Sequence, residues 1–399
     1  MTLKTVPRNL RDVLSLADFE RKAERHLPRP LLQYLAGGVE DNVSRHTNRT
    51  AFNEWALVPR VLVNVSARSR RTSVMGQNFE APFGIAPMGI SALMAFDGDI
   101  ALARAAEQAG VPMIMSGASL TPLEAVAQVA PRSGWFQAYV PGDDAHIEGL
   151  VNRIEQARYS TLVITVDTPT LANRENNVRA GFSTPLRPSV RLAFNGLVRP
   201  RWLIGTLART FIQRGMPHFE NQGARRGVPV FSSDAVRQFG LKEHLSWQHL
   251  ALIRRLWKGQ LVIKGILSVP DSLLAIDHGV DGIIVSNHGG RQLDGAASPL
   301  QVLTPIVAAV KARSKIAVMV DSGFRRGTDV IKALCLGADF VFVGRPMLCA
   351  AAISGERGVA HAIQLLSDEV HRDMALLGVT RIEDLNPSCL LRLGHNARS

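Results

Sequence analysis

Cysteine is scarce in this chain: there are three in 399 residues, Cys335, Cys349 and Cys389. They have neither metal-ligand spacing nor the density of a disulfide framework. A cystine-stapled scaffold and a cysteine-based metal site are excluded, no metal is expected, and a reducing cytoplasm is the expected setting. Long apolar runs are missing too. None reaches the length that spans a bilayer, and the opening MTLKTVPRNLRDVL has no apolar core of a secretory signal. Low-complexity blocks and short-period repeats are absent. Acid is short relative to base: 34 Asp and Glu face 46 Lys and Arg, a formal charge of +12. Such a surplus suits an anionic partner, whether substrate, phosphate-bearing cofactor, lipid surface or nucleic acid. The basic residues are spread over the N-terminal region, a long insertion and two glycine turns, with no nucleic-acid module, so no nucleic-acid partner is expected.

What is present is a rhythm. From about residue 80 a short apolar run, a polar or glycine turn and a helical pattern recur. The runs are Phe83–Ala86, Val111–Met115, Trp135–Tyr139, Leu162–Val166, Leu261–Lys264, Ile283–Val285, Ile316–Val320 and Phe340–Val343. Apolar runs alternating with helices belong to a parallel sheet buried on both faces. Eight such units favour a closed TIM (β/α)₈ barrel over an open doubly wound sheet. Ser246 is placed to cap a helix carrying Trp247, Leu250, Ile253 and Trp257. Thr328 or Asp329 is placed to cap another carrying Val330, Ile331, Leu334 and Cys335. The predicted organisation is an N-terminal helical segment over 1–80, a barrel over 81–378 with an insertion at about 168–246 after the fourth strand, and a C-terminal tail over 379–399.

Barrel active sites gather at the carboxyl ends of the strands. Here those ends read Pro87-Met88-Gly89, Ser116, Gln137 with Tyr139, Thr165 with Asp167, Lys264, His288 with Arg291, Asp321-Ser322-Gly323, and Gly344-Arg345. Polar and ionisable groups repeat at one edge of otherwise apolar strands, where chance would scatter them. DSGFRRG and VGRP follow the seventh and eighth runs, the usual phosphate position of such barrels. They supply glycines for close backbone approach and Arg325, Arg326 and Arg345. Lys264 snorkels to the rim, presents a fixed charge to a cofactor, or forms a Schiff base, so flavin and aldolase chemistry are both open at this residue. His288 has glycines beside it and Arg291 three residues on. That is the make-up of a base next to a carboxylate clamp, with Asp167 available to orient the imidazole.

The motifs YLAGGVED, IAPMG, WFQAYV, ITVDTP with Arg174, VIKG, SNHGGRQLDG, VDSGFRRGTDV and VGRP run from about Leu27 to about Gly378. In this combination the chain resembles the FMN-dependent α-hydroxy acid dehydrogenases and oxidases, among them mandelate dehydrogenase, respiratory lactate dehydrogenase and glycolate oxidase. The resemblance implies that His288 is the base, with Asp167 as its carboxylate partner. Arg174 and Arg291 would grip the substrate carboxylate, and Tyr34 and Tyr139 would contact its carboxylate or hydroxyl. Lys264 would stabilise negative charge on the flavin. Pro87, Met88, Gly89, Ser116, Gln137, Thr165 and Ser286 would surround the flavin ring, with Asp321 at the ribityl chain. Gly323, Arg325, Gly344 and Arg345 would take the phosphate. It further implies FMN as cofactor, an (S)-2-hydroxy acid of lactate or mandelate type as substrate, and a homo-oligomer, a tetramer.

Two departures refine that expectation. Several oxidases of the family carry alanine where this chain has Gly89, while mandelate and bacterial respiratory lactate dehydrogenases carry glycine. The chain therefore reads as a dehydrogenase passing electrons to quinone or another acceptor, with an oxidase producing hydrogen peroxide as the alternative. No haem-binding motif accompanies the barrel pattern, so a flavocytochrome arrangement is not expected. In the insertion, Leu203, Leu207 and Phe211 share helical spacing among arginines. That stretch suits either a basic amphipathic helix lying peripherally on the cytoplasmic face of an anionic membrane, or a helix covering the barrel mouth or a neighbouring subunit.

Overall fold

All eight apolar runs form strands. In the computed structural model, which describes residues 7–140, 143–183, 190–232 and 243–394, they are β1 (Phe83–Ile85), β2 (Met113–Ser116), β3 (Gly134–Ala138), β4 (Thr161–Thr165), β5 (Gln260–Ile266), β6 (Gly282–Val285), β7 (Ala317–Val320) and β8 (Phe340–Val343). They close into one parallel barrel in chain order, with β8 paired back onto β1. Each strand is apolar on both faces because it serves two cores. Ile114, Trp135, Val163, Val262, Ile284, Met319 and Phe342 fill the interior. Their neighbours Met115, Phe136, Ile164, Ile263, Val285, Val320 and Val341 face the surrounding helices. This is the period-two alternation of a strand between two apolar layers.

The amino-terminal end of the barrel is plugged. A hairpin of Thr72–Val74 and Gln77–Phe79 sends Val74 and Phe79 into the interior cluster. The Phe79 ring lies 6.3 Å from Trp135 and 5.5 Å from Phe340, and Trp135 Nε1 donates to Gln77 Oε1 at 3.3 Å. The segment before the barrel carries α1 (Leu16–His26), α2 (Arg29–Ala36) and α3 (Val43–Thr50). It also carries that hairpin and a short strand, Trp55–Leu57, which pairs with Leu390–Arg392 near the other end of the chain. The Asp294 carboxylate accepts from the first two amides of α3, Val43 and Ser44, at 3.2 and 2.8 Å. This fixes α3 against the loop that follows β6.

Three local expectations are revised. β5 runs two residues beyond Lys264, with a register shift between Lys264 and Ile266, so Lys264 sits inside the strand end. The helix Gly327–Cys335 is capped by Arg326, not by Thr328 or Asp329. Asp329 instead lies in its first turn, where its carboxylate accepts from the amides of Arg325 and Arg326 at 2.8 and 3.0 Å. Ser246 does cap its helix, in a reciprocal box with His249. In the insertion, Pro200–Arg214 is helical, with a π-helical stretch over Leu203–Ala208. Trp202, Thr206 and Thr210 form its buried stripe. Leu203, Leu207 and Phe211 are only partly buried beside that stripe, because the wide turn shifts the helical phase and Trp202 Nε1 anchors on the Leu93 carbonyl at 2.8 Å. Phe194, Leu197, Ile204 and Ile212 point outward. Among the described residues no helix is long and apolar enough to cross a membrane.

Candidate active site

The cleft at the carboxyl end follows from the same alternation. Two residues beyond each interior apolar side chain comes the next inward one: Ser116 after Ile114, Gln137 after Trp135, Thr165 after Val163, Lys264 after Val262, Ser286 after Ile284, Asp321 after Met319, and Gly344 after Phe342. These form the floor. Lys264 Nζ donates to Ser286 Oγ at 2.7 Å and pairs with Asp321 Oδ2 at 3.0 Å. A lysine clamped this way is a fixed cation, which favours the electrostatic over the Schiff-base role. The Ser116 hydroxyl and the Gly117 amide both donate to Gln137 Oε1, at 3.2 and 3.3 Å. Ser116 and Ser286 lie beneath the cleft surface, while Gln137, Thr165, Lys264 and Asp321 line it.

The loop SNHGGRQ crosses the floor. Its backbone runs left-handed through three successive residues, His288 at φ +58°, Gly289 at +69° and Gly290 at +71°. Only glycine fits at 290, since a Cβ there would lie 2.5 Å from the Arg45 amide nitrogen of α3. The amides of this turn are all held: His288 donates to Ser286 Oγ, Gly289 to Ser322 Oγ and Gly290 to Asn287 Oδ1, each at 3.0 Å. Asn287 and Asn48 of α3 exchange two amide hydrogen bonds of 2.8 Å. His288 Nδ1 meets Asp167 Oδ1 at 3.0 Å. Burial lowers the pKa of His288 below its ordinary value, against the pull of Asp167. Burial pushes Asp167 up, but its interaction and hydrogen bond with His288 and the nearby Lys264 hold its carboxyl below the ordinary value. A neutral His288 donating from Nδ1 to this carboxylate carries its lone pair on Nε2.

Two arginines and two tyrosines stand over the histidine. Arg291 donates to the Gly37 carbonyl at 2.9 Å and lies over the Tyr34 ring at 5.0 Å. Arg174 donates to the Arg291 carbonyl at 3.1 Å and to Gln292 Oε1 at 2.8 Å. Burial and the nearby charge of Arg174 push the Arg291 guanidinium down to about 10, a sign that this corner wants an anion. Burial drives the Tyr139 phenol strongly up, so it stays protonated as a donor. At the other end of the cleft Arg345 donates to the carbonyls of Leu35 and Gly289, at 3.0 and 2.8 Å. Arg325 pairs with Glu20 at 2.8 Å. The pKa of Arg345 is held well below its ordinary value by burial and by the charges of Arg291, Arg325 and Arg45, with Glu20 opposing. Arg326, also expected at the phosphate turn, pairs with Glu369 at 3.1 Å instead.

The open cleft spans about 950 Å³ and is lined by Pro87, Met88 and Gly89 on one strand end and by Gly323 and Gly344 on two others. It opens into a second chamber of about 1450 Å³ that shares Tyr34, Tyr139, Arg174 and His288. The rest of that chamber is largely apolar, with Ile90, Leu93, Leu171, Phe182, Phe219 and Val230. These chamber residues, with Gln292 and Asn48, were not singled out from the sequence, and Ser322 was named only as part of the seventh strand end. Gln292, which also donates to the Asp167 carbonyl at 3.0 Å, lies within the quoted SNHGGRQLDG and was within reach. The apolar residues of the insertion carried no distinguishing signal.

The cleft fits the FMN that the sequence leads one to expect. Gln137 Nε2 is buried without an acceptor, and a ring carbonyl supplies one. In the arginine cluster around Arg345 the charges of Arg291, Arg325 and Arg45 are opposed by Glu20, and a phosphate dianion would add the negative charge that such a cluster binds. The model of the FMN-dependent dehydrogenases matches residues 23–392. (S)-Mandelate dehydrogenase of Pseudomonas putida is 36% identical over 383 residues, 96% of this chain and 95% of that protein. L-Lactate oxidase of a Nostoc species is 38% identical over 381 residues, 94% of this chain and 98% of that protein. The crystal structure of a monotopic membrane protein, (S)-mandelate dehydrogenase, superposes with a TM-score of 0.87 at 35% identity, covering 96% of this chain and 100% of the other.

Proposed function

Because this chain belongs to the FMN-dependent dehydrogenase family, we propose that it oxidises an (S)-2-hydroxy acid to the 2-oxo acid and passes the electrons to quinone or another acceptor. The observation that carries this reading is the His288–Asp167 pair beneath Arg174 and Arg291, at the seam between a polar cleft and an apolar chamber. In the cleft, Ser116, Gln137, Thr165, Lys264 and Ser286 would hold the flavin ring against Pro87 and Met88, with Asp321 at the ribityl chain. Gly323, Arg325, Gly344 and Arg345 would hold the phosphate. Bound FMN supplies the two-electron acceptor that no side chain offers.

The chain's own residues do the rest. Arg174 and Arg291 bind the substrate carboxylate and so fix the carbon that is oxidised. Tyr34 and Tyr139 orient the carboxylate and hydroxyl. His288 Nε2 takes the hydroxyl proton, and Asp167 stabilises the imidazolium that results. Lys264 holds positive charge where negative charge develops. The apolar lining of the chamber by Ile90, Leu93, Leu171, Phe182, Phe219 and Val230 supports an aryl or long alkyl side chain, as in mandelate, over that of lactate.

Gly89 faces the Ala118 Cβ and the Tyr34 hydroxyl, where an added Cβ would come within 3.0 and 3.2 Å. Oxygen use would accord with the lactate oxidase relative; the glycine supports the dehydrogenase reading. The outward Phe194, Leu197, Ile204 and Ile212 support peripheral contact with the cytoplasmic face of a membrane. Assembly into a homo-oligomer, a tetramer, belongs to the same reading, as the family resemblance implies. The test is anaerobic: 2-hydroxy acids are added singly to the flavin-bound protein while its visible absorbance is followed. Bleaching by (S)-mandelate or a similar acid is expected. Retained colour with every acid overturns the substrate class, and rapid recovery of colour with peroxide in air overturns the acceptor.

A further inference from the structure

A carboxylate outside the cleft has no role in the chemistry above. Asp99 lies in the first turn of the helix Gly98–Ala109 and is wholly inaccessible, at 0% exposure. Among the described residues no cation hydrogen-bonds to it. Three hydroxyls donate to it instead: Ser91 at 2.6 Å, Ser119 at 2.6 Å and Thr121 at 3.2 Å. Burial raises its pKa while these three hydroxyls oppose the rise. A buried carboxyl is costly, and packing alone would be served by an apolar residue at this position.

The three hydroxyls come from two different loops. Ser91 follows the β1 loop, which supplies Pro87, Met88, Gly89 and Ile90 to the walls of the two cavities. Ser119 and Thr121 follow the β2 loop, which supplies Ala118 to both. The loops also meet directly, the Ile90 amide donating to the Ala118 carbonyl at 3.1 Å. From outside, Asn221 of the insertion donates to the Thr121 carbonyl at 2.8 Å and accepts from the Leu123 amide at 2.8 Å. Between the loops the clearance is small, as the added Cβ at Gly89 showed. A shift of a few tenths of an ångström in either loop therefore changes the gap where cleft and chamber join.

We propose that Asp99 is a positioning residue that joins the β1 and β2 loops and thereby sets the width of the passage at Gly89 and Ala118, and with it the selection between small and bulky 2-hydroxy acids. This rests on the reading of the cleft as a 2-hydroxy acid site. Asp99→Ala releases both loops, whereas Asp99→Asn keeps hydrogen-bonding atoms for the hydroxyls. The Ser91→Ala, Ser119→Ala double variant cuts the same links from the loop side and decides the matter should Asp99→Ala not fold.

Flavin-bound proteins are compared by their visible flavin spectrum, their FMN dissociation constant, and kcat/KM for (S)-lactate and (S)-mandelate. In Asp99→Ala and the double serine variant the ratio of the two kcat/KM values is expected to move by about tenfold, with the flavin band displaced. Asp99→Asn is expected to restore both. An unchanged ratio and spectrum in a folded, flavin-bound Asp99→Ala or double variant overturns the proposal, as does an equal loss for both acids with no recovery in Asp99→Asn. If the unaltered protein oxidises neither acid, the substrate reading has failed. Asp99 is then judged on the spectrum and FMN affinity alone, where loss in Asp99→Ala with recovery in Asp99→Asn upholds the positioning role and no change refutes it.

Discussion

The two ends of the barrel are built from the same strands and share almost no chemistry. At the amino-terminal end Trp135, Phe340 and Phe342 meet ring to ring, at centroid distances of 5.4 and 5.5 Å, under the hairpin that carries Phe79. One alternation later the same strands present Gln137 and Gly344, and their neighbours present Lys264 and Asp321. Cohesion and chemistry are thus separated along the barrel axis by two residues per strand. A substitution at one end should leave the other nearly untouched, and that separation is open to attack.

The largest effect is expected at the polar end. His288→Ala should lower kcat by about 10²- to 10⁴-fold while the unfolding free energy stays within about 1 kcal/mol of the parent, as read by steady-state rates and denaturant melts. A matching loss of stability would show that the polar end also carries cohesion. The pH profile sharpens the point. In the proposed role of base His288 must be neutral, and its pKa lies below the ordinary 6.5. The kcat/KM of the free enzyme should therefore stay level as pH falls through 6.5 and decline only below it. Asp167 raises that pKa, so Asp167→Asn should push the acid limb lower still and reduce the rate.

Trp135→Ala, at the opposite end, should cost about 3–5 kcal/mol of stability and leave kcat within about twofold at temperatures where the protein is folded. A larger fall in kcat would break the separation. Gly290→Ala tests the seam between α3 and the histidine loop. The new Cβ meets the Arg45 backbone, and a loss of about 1–3 kcal/mol should come with weakened flavin retention, measured by released absorbance. The smallest effect belongs to Gln77→Ala, which removes the acceptor of the Trp135 indole. A loss of about 0.5–1.5 kcal/mol in thermal melts, with no kinetic change, is expected.

The same contrast explains what could be read in the sequence. The eight strands were legible because each is a predominantly apolar run, and Lys264, His288 and Asp321 were legible because an ionisable group at the end of such a run is an anomaly. Asn48 was not, since it lies 239 residues from its partner Asn287 and an asparagine in a polar helix breaks no local pattern. Asp99 was hidden likewise, an acid in a first helical turn being commonplace. Phe182, Phe219 and Val230 are ordinary apolar residues in an irregular insertion, and only the closed fold brings them to the chamber. The insertion helix was legible in extent, and Leu203 and Leu207 do pack against the core, but the buried Trp202, Thr206 and Thr210 were not, because a π-helical stretch cannot be seen in a 3.6-residue period.

The stitching of α3 to the loops after β6 and β7 has a consequence for how the protein comes into being. Asn48 waits for Asn287, and the Asn48 carbonyl packs where a Cβ of Gly323 would stand, 2.2 Å away. Arg345 completes the cleft from the far end of the chain. On the ribosome, where residues emerge one after another, α3, within the first eighth of the polypeptide, must remain unsatisfied until about four-fifths has been made. Cofactor loading is therefore a late event in biogenesis, and a prematurely terminated chain lacking β8 would hold a plugged, partial barrel with nowhere to keep its flavin.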